Sequence, residues 1–145
     1  MKKINAARGL IHETGGNVNE VTSLKVEDIK MDAYGHLTVH IGIGDCERHA
    51  IVDKGEVLKE LLEDARADGR EMLLPTIPLN FDCSNDRAIY ARRLYALVSA
   101  GGRMNSKSSY LFDGKKYDGD AMRIVAKCMG EKDVKSMDKY FKLEI

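Results

Sequence analysis

The chain has no tryptophan, two prolines, three cysteines and only 6% aromatic residues. It carries no net charge, with 23 Lys+Arg against 23 Asp+Glu. Its longest apolar run is Leu94–Val98. Each shortage excludes something. A helix that spans a membrane needs about 20 apolar residues, far more than this run supplies. Met1 to Arg8 contains no apolar core of a secretory signal, so a cytoplasmic protein is expected. Cys46, Cys83 and Cys128 are odd in number and never spaced C-x-x-C. Neither a zinc site nor a redox pair is indicated, and idle thiols in a reducing compartment are expected. His12, His36, His40 and His49 do not fall at metal-ligand spacing on a helix. The last three lie in a predicted hairpin, where pairing across the sheet is one use for them. Gly15-Gly16 lacks the context of a phosphate loop. Asp113-Gly114 and Asp118-Gly119-Asp120 lack the twelve-residue pattern of a calcium loop. No metal and no cofactor are expected.

What is present is ordinary globular composition, 43% hydrophobic and 32% charged. At 145 residues the length favours one domain over 1–145, able to bury roughly 68–70% of its unfolded surface. The neutral total is uneven. Residues 1–50 hold 6 basic and 7 acidic side chains, residues 51–82 hold 4 and 8, and residues 83–145 hold 13 and 8. The basic C-terminal stretch is where a polyanion surface is expected. A solvated set of helix faces is the competing explanation.

Ile4, Ala7, Leu10 and Ile11 fall at helical spacing, ended by Thr14-Gly15-Gly16. Asn17 or Asn19 can cap a short helix over 20–24. Lys25 to Ile29 reads as a turn or short helical end. His36 to Ile43 alternates with period two and predicts a strand. Gly44-Asp45-Cys46-Glu47 follows as a loop, and Arg48 to Val52 returns as its partner. Asp53 can cap a helix with Val57, Leu58, Leu61, Leu62 and Ala65 inward, stopped by Gly69. Leu73 to Pro78 reads as a buried connection. Ser84 or Asn85 caps a helix from Arg87 to about Val98, with Ile89, Tyr90, Leu94, Leu97 and Val98 inward. Residues 103–109 form the least ordered segment, followed by Tyr110-Leu111-Phe112 as an apolar anchor. Asp118 begins a helix with Met122, Val125, Ala126 and Met129 inward and Gly130 at its end. A last helix runs from Val134 to about Phe141. The sum is α+β, a mostly helical domain with one small antiparallel sheet.

Three stretches, with the hairpin between them, match a known pattern. Thr14-Gly15-Gly16-Asn17-Val18-Asn19-Glu20-Val21-Thr22-Ser23-Leu24 is similar to the first motif of tyrosine recombinases (phage integrases), Thr-Gly-x-Arg-x-x-Glu-x-x-x-Leu. A hairpin follows in the right place. Arg87-Ala88-Ile89-Tyr90-Ala91-Arg92-Arg93-Leu94 resembles the helix of the family's His-x-x-Arg motif. Ile124 to Tyr140 resembles its last motif, an apolar helix, Leu-Gly-His and then the tyrosine nucleophile. The interval from Glu131 to Tyr140 equals the family's interval from histidine to tyrosine. The order holds over nearly the whole chain. The resemblance implies a tyrosine-recombinase catalytic-type fold without the usual N-terminal core-binding domain, and a link to DNA recombination and integration in a mobile element.

In that family a tyrosine attacks the scissile phosphate. Two arginines, a hairpin lysine and further histidines supply all the charge stabilisation without a metal. This sequence departs from that set. Asn17 stands for the first arginine, Ile43 or its neighbour for the hairpin lysine, Ser84 for one histidine and Glu131 for the other. Only Arg87 and Tyr140 remain as catalytic remnants. Losing one such donor costs about 10²–10³ in rate, so strand cleavage is not expected.

Three functions stay open. One is a domain that binds DNA weakly through phosphates, as a monomer or weak dimer, beside a full-length recombinase. Its contacts are expected from Lys25, Arg48, Arg92, Lys115, Lys116, Arg123, Lys127, Lys132, Lys135, Lys139 and Lys142. The second is an active small recombinase with a rebuilt site around Tyr140. The third is a protein-interaction domain with no nucleic-acid role.

Overall fold

The computed structural model describes residues 3–42, 44–74, 81–99, 109–112 and 114–141. The fold is α+β. In chain order it runs α1 (Lys3–Thr14), α2 (Val18–Thr22), a 3-10 turn (Val26–Asp28), β1 (Ile29–Met31), β2 (Leu37–Ile41), a 3-10 turn (Gly44–Cys46), β3 (Arg48–Val52), α3 (Glu56–Asp68) and α4 (Ser84–Ser99). Then come β4 (Ser109–Phe112), β5 (Lys115–Asp118), α5 (Gly119–Met129), a 3-10 turn (Val134–Met137) and α6 (Asp138–Phe141). Ile43, the Pro75–Pro78 part of the connection, residues 103–108 and Lys142 lie outside the described residues.

The N-terminal half is organised around an antiparallel sheet of order β1-β2-β3. The sequence indicated two of its strands, and β1 is an addition. Alternation decides what faces in. Leu37, Val39 and Ile41 of β2 are buried, as are Arg48, Ala50 and Val52 of β3. The apolar ones pack with Ala7, Leu10 and Ile11 of α1, Val21 of α2 and Leu58, Leu62 and Ala65 of α3. Leu73 and Leu74 are buried in the same core, as a connection should be. The start of α3 differs from expectation. Asp53 is exposed and Gly55 is the cap residue, with no side-chain bond. Glu13 of α1 accepts from the N–H groups of Val57 and Leu58 instead, both at 2.9 Å. A carboxylate from another helix thus satisfies two of the orphan donors that open α3.

A second apolar cluster joins α4, the β4–β5 hairpin, α5 and α6. That hairpin, a second small sheet, was not expected where the sequence indicated only an apolar anchor at 110–112. Phe112 pairs with Lys115 and Leu111 with Lys116. Phe112 is buried beside Tyr117 and Phe141, whereas Leu111 is 70% exposed, because a strand sends neighbours to opposite faces. On α4, Tyr90 and Leu94 are buried as expected, with Ala88 and Ala91. Leu97 instead faces outward, and Ile89 is half-buried. Asp118 caps α5 by accepting from Ala121 N–H at 2.8 Å, and Gly130 ends it in the left-handed region at φ 73°. Val134 begins a 3-10 turn, capped by Asp133, and α6 starts only at Asp138. No helix among the described residues is long and apolar enough to cross a membrane.

Candidate functional site

The two halves meet where the C-terminal end of α5 faces α1, β3 and the start of α4. A helix leaves its last four carbonyls without helical partners. Here all four are filled. Glu131 N–H donates to Ala126 O at 3.0 Å and Gly130 N–H to Lys127 O at 3.2 Å. Arg48 Nε donates to Cys128 O at 3.0 Å, and Arg87 Nη2 to Met129 O at 2.9 Å. Two guanidinium groups therefore sit on the negative end of one helix dipole. Gly130 lets Arg48 come close. A Cβ there would lie 2.9 Å from Arg48 Nη1.

Arg87 stands in the first turn of α4 and holds three elements at once. Besides Met129 O, its Nε donates to Gly15 O at 2.8 Å and its Nη1 to the Tyr140 hydroxyl at 2.9 Å. The phenol in turn donates to Glu131 Oε1 at 3.0 Å. Lys139 Nζ lies 3.1 Å from that same carboxylate oxygen, and Arg92 Nε donates to Tyr140 O at 2.9 Å. Tyr140 is 3% exposed. Burial pushes its ionisation above the usual phenol range. The Arg87 charge works against that shift, and the charge and hydrogen bond of Glu131 add to it.

Arg48 is not on the surface. Its position follows from the alternation of β3, which sends Arg48 to the same inner face as Ala50 and Val52. Its Nη1 and Nη2 grip the Glu20 carboxylate at 2.5 and 3.1 Å, and Nη1 also donates to Cys46 O at 2.9 Å. Burial alone would raise the Glu20 carboxyl. The Arg48 hydrogen bonds and charge, the Asn17 N–H and the Arg87 charge outweigh it and hold Glu20 below its usual range. Asn17 has a structural task. Its Oδ1 accepts from Glu20 N–H while its own N–H donates to Glu20 Oε1, each at 2.9 Å, which closes a capping box at the start of α2.

The remaining cations named from sequence are dispersed. Lys127 and Lys132 are exposed on a cleft of about 630 Å³ between the β2–β3 turn and the end of α5. Asp45, Glu47 and Glu131 line the same cleft, so its charge is mixed. Lys135 is exposed on the following 3-10 turn. None of these three lysines forms an ion pair among the described residues. Arg123 pairs with Asp120 at 2.6 Å, and Lys25 lies 3.4 Å from Glu71. Lys115 sits over the Tyr117 ring at 5.5 Å, and Lys116 is exposed on β5. Ser84 is exposed at the first position of α4. The structure thus brings Arg87 and Tyr140 together with Glu131, Lys139 and Arg92. Arg48 joins at the end of α5, and Lys25, Lys115 and Lys116 lie elsewhere. Sequence reasoning missed the Arg48–Glu20 pair, although the period of β3 signalled it. Nothing in the spacing marked Glu13 as the cap of α3.

No family model and no curated protein matches the chain. A solved structure does, described as the crystal structure of XerA recombinase. The TM-score is 0.57 at 16% identity, over 98% of this chain and 52% of that one. The chain has a recombinase fold. The tyrosine-recombinase-like architecture spans nearly all of the sequence, and the chain corresponds to about half the length of that solved structure.

Proposed function

We propose that this chain is a DNA-binding, integrase-like domain tied to site-specific recombination, and that it does not cleave strands. The observation that carries the reading is the closed state of Tyr140. A nucleophilic phenol must lose its proton and reach a phosphate. This hydroxyl is buried, keeps its proton toward Glu131, and sits beside a carboxylate that repels a phosphate. Its guanidinium partner already serves Gly15 and Met129. Of the other guanidinium groups of the region, Arg48 is neutralised by Glu20 and Arg92 donates to the Tyr140 carbonyl. With the first arginine replaced by Asn17, little is left to stabilise a pentacoordinate phosphate, although such losses do not simply add.

DNA contact rests on the exposed cations instead. Lys127, Lys132 and Lys135 project near the end of α5, in the basic part of the sequence. Contacts of this kind give affinity without sequence information. Such a domain works beside a full-length recombinase, holding DNA while the partner cuts. Affinity for duplex DNA measured across a salt series tests this, since log K must fall linearly with log salt. Absence of binding at low salt would leave the protein-interaction reading.

The 2.9 Å contact between Arg87 and Tyr140 favours one other reading. In it the site is a rebuilt active centre, and Glu131 accepts the phenol proton as general base. Covalent capture of nicked DNA through Tyr140 separates the two.

A further inference from the structure

His40 and His49 stand opposite each other on β2 and β3. Their rings stack with centroids 5.0 Å apart and planes inclined by 26°. Strand alternation places both on the outer face of the sheet, away from Val39, Ile41, Arg48 and Ala50. The other two histidines each have a carboxylate partner. His12 lies 2.6 Å from Asp86 and His36 lies 3.3 Å from Asp32. Among the described residues, neither the His40 nor the His49 imidazole has a hydrogen bond or an ion pair. Two imidazoles are thus held side by side by a paired sheet with their nitrogens uncommitted.

We propose that His40 and His49 form a two-imidazole site for a divalent ion of the zinc type. Neutral imidazole is the commonest protein ligand for Zn²⁺, Cu²⁺ and Ni²⁺. The two Cα positions are fixed by the strand pairing, which makes a site on strands more exact than one on loops. A turn of each ring about its terminal torsion, which is broad and soft for histidine, aims one nitrogen of each at a shared point. No group of three or more His, Cys, Asp or Glu is assembled for a metal among the described residues. The protein therefore supplies two ligands, and water completes the four-coordinate shell. His49 shares its cleft with Lys127 and Lys132. A bound ion adds two positive charges to that wall, where the turn Gly44–Glu47 has no cation of its own. The site stands independently of the DNA-binding reading.

The test is titration of the full chain with Zn²⁺ alone, followed by calorimetry and by thermal unfolding. The expected result is saturable binding of one ion by the pair, with a melting temperature that rises with Zn²⁺ concentration by mass action. His40→Ala and His49→Ala each weaken this binding by at least about tenfold, since even an outer-shell partner is worth that much. Both substitutions are on the outer face of the sheet, so circular dichroism confirms that the variants stay folded. His36→Ala and Cys46→Ser leave the binding unchanged. Ni²⁺ added to isotope-labelled protein broadens NMR signals around positions 40 and 49 first. Absence of saturable binding, retention of it in both histidine variants, or its loss in Cys46→Ser overturns the proposal.

Discussion

Arg87 and Tyr140, 53 positions apart, meet at 2.9 Å between Nη1 and the phenol oxygen. The contact clamps α6 onto the start of α4. The phenol accepts from a guanidinium on one side and donates to Glu131 on the other, and burial, with Glu131, outweighs the pull of the Arg87 charge on its proton. An active nucleophile needs an exit for its proton and a path to its target. Here the surroundings hold the proton in place.

That arrangement predicts a late-titrating tyrosine. A spectrophotometric pH titration of the native protein should show at least two phenols ionising well above the ordinary value of about 10. They are Tyr90 and Tyr140, both pushed up by burial. Tyr140→Phe should remove one late phenol. It should also cost about 1–3 kcal/mol by leaving buried polar partners unpaired, measured by urea unfolding. A native titration with every phenol near its usual value would contradict the closed site.

The Arg48–Glu20 pair makes a separate prediction. Both side chains are almost fully buried, 4% and 6% exposed. Arg48→Met should destabilise the fold by about 3–5 kcal/mol, because it strands a buried carboxylate and uncaps Cys128 O. Adding Glu20→Gln should recover part of that loss, which a double-mutant cycle reads directly. The pH dependence follows from sign. Glu20 ionises below its usual range when folded. Its contribution is therefore complete above the unfolded value and is lost as pH falls through the depressed folded one. Glu13 is raised by burial despite the two N–H groups it accepts from, so its contribution is lost as pH rises through its raised value. Stability below about pH 5 should therefore fall more steeply in the unmodified chain than in Glu20→Gln/Arg48→Met, which has no carboxylate at that position to protonate.

The DNA reading yields a salt slope. Lys127→Ala and Lys132→Ala should each reduce the slope of log K against log salt by about 0.9, the change expected when one fewer phosphate is neutralised. Lys139→Ala should change it less, because its ammonium already lies 3.1 Å from Glu131. Equal slopes in all three variants would place the phosphate contacts elsewhere.

Much of the fold was legible in the chain because burial follows period. The α5 stripe of Met122, Val125, Ala126 and Met129, its Asp118 cap and its Gly130 stop all read directly. So did the β2–β3 hairpin, whereas which of its histidines face each other was left open and is set by the register of His40 against His49. The β4–β5 hairpin was missed because each strand has four residues and β5 is mostly charged. The Asp53 cap failed for a different reason. The helix opens after Gly55, two residues later than an Asp53 cap requires, and Glu13, 44 positions before Val57, fills its N–H groups; no local pattern announces a partner that distant. Within the site, the resemblance singled out Arg87 and Tyr140 as remnants, but whether their side chains meet was left open by the sequence. The closing of that pair by Glu131 depends on the turn Gly130 makes at the end of α5, which brings the two side chains together only in the folded chain.

The central claim is binding without cleavage. It is tested most directly by mixing the protein with nicked suicide DNA at low salt and running the product with and without denaturant. A shifted complex that dissociates fully in denaturant is expected. A denaturant-resistant protein–DNA adduct that disappears in Tyr140→Phe would contradict it.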